Sequence, residues 1–104
     1  MFEVFDYDFH NAVFEWDANK DALNFAKHGI RFKTAAKVFA DPNKLMREDN
    51  DHSKEPRFNV LGKVGKILFI VCVFQQNSVI RIISARVATA SEARRYRYGE
   101  NDDE

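Results

Sequence analysis

The chain reads as an α+β domain in which two short helices precede an antiparallel sheet of four to five strands and a third helix closes the fold. Three observations carry that reading. Apolar residues recur at helical spacing between residues 32 and 40, and the pattern switches to period two after residue 43. The string Thr89-Ala90-Ser91-Glu92 then fits a capping box, in which hydroxyl and carboxylate each satisfy an orphan backbone N–H at a helix start. The 104 residues suffice for a single domain, and ten phenylalanines can fill its core.

Residues 1–12 read as an N-terminal extension, where Phe5, Tyr7 and Phe9 alternate with Asp6 and Asp8 in a faint strand pattern. A short strand follows in "VFEW". Asp17 is placed to cap a helix through "ANKDALNFAKH", and Gly29 stops it behind Lys27 and His28, two bases at the negative end of the helix dipole. "FKTAAKVFA" repeats Phe32, Ala35, Ala36 and Phe39 at helical spacing, and Asp41-Pro42 ends it. "KLMRED" reads as a strand and "NDHSKEP" as an exposed polar loop. "RFNVLGKV" alternates Phe58 and Val60 against Arg57, Asn59 and Lys63, and Gly65 sits at a turn. "KILFIVCVF" is apolar on both faces, which places it in the middle of the sheet. "QQNS" is a hairpin turn and "VIRIISAR" the next strand, so short turns make these neighbours antiparallel. With helices packed on the sheet, the other face is expected to be partly open, and Arg57 and Lys63 make it basic.

The formal net charge is zero, yet charge is segregated. Residues 1–21 carry −5 and residues 22–80 carry +5, while residues 81–98 carry +4 and the acidic tail 99–104 carries −4. Five arginines, Arg81, Arg86, Arg94, Arg95 and Arg97, crowd the last strand and helix beside Tyr96 and Tyr98. That distribution keeps a polyanionic partner in play where the overall charge would dismiss one. The single cysteine, Cys72, rules out an internal disulfide and reads as a buried, inert thiol. The acidic N-terminus lacks the basic start of a secretory signal, and no apolar run approaches the roughly 18 residues of a membrane span. A cytoplasmic protein without a membrane partner is expected.

Three strings carry a family resemblance. "FEWDANKDALNFAKHGIRF" (Phe14 to Phe32), "RIISARVAT" (Arg81 to Thr89) with Glu92 and Tyr96, and between them His52-Ser53 with Glu55-Pro56-Arg57-Phe58, resemble the BrnT toxin family in the right order over residues 13 to 98. The extension at 1–12 and the tail "GENDDE" depart from that frame. The resemblance implies a RelE-like fold and a ribonuclease that arrests translation as the toxin of a type II toxin–antitoxin pair. It also implies neutralisation by a cognate BrnA-type antitoxin in a hetero-oligomer that reaches operator DNA through the antitoxin.

RNA is cleaved without metal or other cofactor when its 2′-hydroxyl attacks the adjacent phosphorus. Such a site needs cations around the phosphate, a group that moves protons, and often a ring for an unpaired base. Arg86 ends the last strand at a helix start, where both its fork and exposed N–H groups suit phosphate; its alternative is an ion pair with Glu92. Arg81 shares the strand, but strict alternation puts it on the opposite face unless the strand bends. Arg95 and Tyr96 join the catalytic candidates at the substrate edge, against the simpler reading of a packed ring and solvated cations. Glu92 is a cap first and a general base second. Arg57, Lys63, Arg94 and His52 are RNA-binding candidates, with a plain surface histidine as the alternative for His52. His10, His28 and His52 stand in different elements and suggest no metal site. A non-catalytic module of the same fold, binding its antitoxin or nucleic acid, is the alternative function.

Overall fold

In a computed structural model, residues 2, 11–49 and 56–99 are described. The elements are β1 (Val13–Glu15), α1 (Ala18–His28), α2 (Phe32–Ala36) running into a 3₁₀ turn (Lys37–Ala40), β2 (Leu45–Asp49), β3 (Arg57–Val64), β4 (Lys66–Phe74), β5 (Val79–Val87) and α3 (Ala90–Tyr98). The strand pattern of residues 1–12, the loop 50–55 with His52, and the acidic tail lie outside the described residues.

The five strands form one sheet in the order β1-β5-β4-β3-β2. β4 is central, as its two-sided apolar run requires. Four strands pair antiparallel, while β1 pairs parallel to β5. The sheet is therefore mixed rather than purely antiparallel. The short-turn argument governs only consecutive strands, and β1 joins the edge beside a strand that follows it by some sixty residues of chain.

Asp17 caps α1 by accepting from the N–H groups of Asn19 and Lys20, and Gly29 closes it in the left-handed region at φ 73°. The single helix expected over 32–40 tightens after Ala36. The 3₁₀ repeat of three residues sets Val38 beneath Ala35, and both are fully buried. Asn77 and Ser78 both adopt positive φ at the β4–β5 turn, with Val79 N–H donating to the Gln76 carbonyl, the backbone twist that two-residue hairpins favour.

Two apolar clusters lie on opposite sides of the sheet. The larger sits under α1 and α2 and includes Phe32, Val38, Met46, Val60, Ile70, Cys72, Ile80 and Ile82. Burial pushes the Cys72 thiol up to about 12, which makes it inert. The smaller cluster comprises Phe2, Leu45, Leu61, Ile67 and Phe69, with Ala93 and Tyr96 of α3 packed against it. Thus α3 covers one end of the face opposite to α1, and Asn59 and Val73 on the same face are buried as well.

Candidate active site

The face beside α3 is built in rows that cross the strands. One row runs Leu45, Leu61, Phe69, Arg86, and the next runs Arg47, Asn59, Val71, Ser84. At the far end Asp49 lies opposite Arg57, and Val73 lies opposite Arg81, which lies opposite Glu15. Arg81 and Arg86 share this face because β5 is irregular. Its register against β4 shifts between Val71 and Cys72, so that Ile83 is an extra residue. Without that bulge, residues five apart would point to opposite sides.

Arg86 and Glu92 form a two-pronged ion pair. Nη1 donates to Oε1 at 2.8 Å and Nη2 to Oε2 at 3.0 Å, while Nη1 also reaches the Val87 carbonyl at 3.3 Å. The guanidinium carbon lies 4.1 Å from the centre of the Phe69 ring. Glu92 accepts in addition from Thr89 N–H, and its own N–H donates to the Thr89 hydroxyl, so the capping box and the arginine clamp are one unit. Burial acts to raise the Glu92 carboxyl, but Arg86 and the Thr89 N–H outweigh it and hold the carboxyl below its ordinary range. The same contact raises Arg86 further. The pairing weighed as the alternative for Arg86 is thus present, and it does not withdraw the side chain, which stays one-third exposed. Among the described residues, the Nε–H and one Nη2 hydrogen remain for a ligand.

Arg81 pairs loosely with Glu15 at 3.6 Å. Arg57 and Lys63 lie on the parity of this face, as expected, and Arg94 is exposed on α3. Arg95 and Tyr96 are half-buried. The Tyr96 hydroxyl donates to Asp41 Oδ2 at 2.6 Å, and that oxygen also accepts from Lys63 N–H at 2.8 Å. Burial, then this bond to Asp41, pushes the phenol up to about 12. Burial works to raise Asp41, but its donors, Tyr96 and the N–H groups of Asn43 and Lys63, leave the carboxyl lowered. Asp41, Lys63 and Tyr96 line a shallow, open cleft with Lys37 and Asn43. Among the described residues no group of three or more His, Cys, Asp or Glu is placed to hold a metal ion.

Three contributors escaped the reading of the sequence. Arg47 has its Nε–H held by Asn59 Oδ1 at 2.9 Å; its parity with Leu45 in "KLMRED" was the available signal. Asp41 read only as a helix stop. Asn24 is buried in α1, where its amide donates to the carbonyls of Ile30 and Ala85 and accepts from Ala85 N–H. It thereby does what a neighbouring strand would do for β5, one residue before Arg86.

A model of the ribonuclease toxin BrnT of type II toxin–antitoxin systems matches residues 16–92. The chain belongs to the BrnT family of ribonuclease toxins. The matched stretch holds Asn24, Arg47, Arg57, Arg81, Arg86 and Glu92, while Phe2 and Tyr96 fall outside it. A solved relative, the Brucella abortus ribonuclease toxin BrnT, superposes with a TM-score of 0.59 at 21% identity, covering 76% of this chain and 99% of that one. It supports the BrnT fold for this chain. No individual curated protein matches significantly. Membership in a type II toxin–antitoxin family implies an antitoxin partner.

Proposed function

We propose that this BrnT-family chain is a metal-independent endoribonuclease with a RelE-like site on the arginine-bearing sheet face beside α3, and that cleavage of RNA arrests translation in the cytoplasm. The observation that carries this reading is the bulge at Ile83, which gathers Arg81 and Arg86 onto the face that also bears Arg47 and Arg57. Arginines gathered on one face suit the phosphates of a single strand, and the half-buried Val71 among them offers an apolar contact.

In this reading the RNA 2′-oxygen attacks the adjacent phosphorus and passes its proton to water. The P–O5′ bond breaks, the 5′-oxygen takes up a proton, and a 2′,3′-cyclic phosphate remains. The free N–H donors of Arg86 and the charge of Arg81 bind the non-bridging oxygens as negative charge builds there. Glu92 is a positioning residue that orients Arg86. Its suppressed basicity argues against its serving as the base at neutral pH. Tyr96 keeps its proton and borders the site with Arg95. Arg57, Lys63 and Arg94 extend the cationic track, and His52, outside the described residues, remains an RNA-binding candidate by sequence.

A BrnA-type antitoxin would neutralise the enzyme by covering α3 or the adjacent sheet edge, and the hetero-oligomer would meet operator DNA through the antitoxin. The test is purified chain with single-stranded RNA in excess chelator. Cyclic-phosphate ends that vanish with Arg86→Ala and with added antitoxin are expected. Full dependence on an added divalent ion, or wild-type cleavage by Arg86→Ala, would refute the mechanism.

A further inference from the structure

The second apolar cluster has an unusual member. Phe2 belongs to no helix or strand, yet its ring is 3% exposed among Leu45, Leu61, Ile67 and Phe69. The Arg47 guanidinium covers it, with its carbon 4.3 Å from the ring centre. Arg47 is not a wandering surface cation, because the buried Asn59 holds its Nε–H at 2.9 Å. A planar cation above and branched aliphatics around form a slot for a flat ring.

The slot lies in the two rows that contain Arg86 and Ser84, about three strand spacings or roughly 14 Å across the sheet. A single strand held at Arg86 by one phosphate reaches that distance within two or three nucleotides. The family match spans residues 16–92 and does not include Phe2.

We infer that the slot beneath Arg47 is a subsite for an unpaired nucleobase, and that Phe2 is the chain's own competitor for it. The inference rests on the ribonuclease reading above. A nucleobase is favoured over a protein side chain because the slot shares its face with Arg57, Arg81 and Arg86, which suit a phosphate backbone. Phe2 in place lowers RNA affinity, and its departure opens the slot.

The test uses 2′-O-methyl oligouridylate, which lacks the attacking hydroxyl and whose base is close to a phenyl ring in size. Phe2→Ala should bind it about tenfold more tightly than wild type, the order of one base stack. An abasic oligomer of equal charge should gain nothing, and adding Arg47→Met to Phe2→Ala should abolish the gain. Equal gain with the abasic oligomer, or none with oligouridylate, overturns the inference. Should Phe2→Ala fail to fold, the wild type decides by methyl NMR: saturating oligouridylate should move Leu45 and Leu61. Binding that moves Val71 but leaves those two unmoved overturns the subsite and spares the ribonuclease reading. Movement caused by antitoxin and not by RNA also overturns it, and gives the slot to a protein ring. No binding of any oligomer refutes both.

Discussion

Arg86 is held by Glu92 on one side and by the Phe69 ring on another, so its remaining donors are fixed in direction without any ligand. That preorganisation is why Arg86→Ala should lower the cleavage rate by about 10²–10³. A modest fall in melting temperature should accompany it, because a part-buried ion pair and a stacked ring are lost together. Arg86→Lys keeps the charge without the fork and should recover little of the rate. Glu92 also ties stability to pH. Its carboxyl lies below the unfolded value of about 4.3. Its contribution is therefore complete above that value and lost as pH falls through the folded one. The stability gap between wild type and Glu92→Gln, followed by denaturant titration, should close toward low pH. Tyr96 has the opposite sign. Its phenol is raised to about 12, so its contribution is complete below about pH 10 and lost as pH rises through about 12. Tyr96→Phe should remove that alkaline loss.

At the scale of elements, the site depends on how β5 is anchored and kinked. Asn24 bonds both backbone groups of Ala85 from the far side of the sheet. Asn24→Ala strands buried backbone groups at about 1–3 kcal/mol each. It should lower both melting temperature and cleavage, because Arg86 follows directly. β3 has its own constraint. A Cβ on Gly62 would come within 2.3 Å of Val38 Cγ1. Gly62→Ala should therefore cost about 1–3 kcal/mol as the 3₁₀ turn is pushed off the sheet. A denaturation midpoint equal to wild type would show that the turn yields freely. Thr89→Ala removes one half of the capping box and should cost about 1 kcal/mol.

At the scale of the whole molecule, a formal charge of zero conceals a sheet face that bears Arg47, Arg57, Arg81 and Arg86. If Arg47, Arg57, Arg81 and Arg86 each meet one phosphate, the affinity for single-stranded RNA should fall with salt at a log–log slope of about −3. A slope near zero would remove phosphate binding from this face. The elements were legible in the sequence because caps, stops and apolar periods are local. Asp17, Gly29 and the Thr89–Glu92 box are set by the backbone groups a few residues away. The central place of β4 was equally legible, since only a strand covered on both sides can be apolar on both. The tie of Arg86 to Glu92 could be weighed from the sequence as well, six residues apart at a helix start. The shared face of Arg81 and Arg86 could not, because alternation predicts opposite faces and the bulge exists only in pairing with β4. Arg47 over Phe2, Tyr96 on Asp41 and Asn24 on Ala85 join residues 45, 55 and 61 positions apart. Such meetings depend on how the layers close over the sheet, and local spacing along the chain carries no record of that closure.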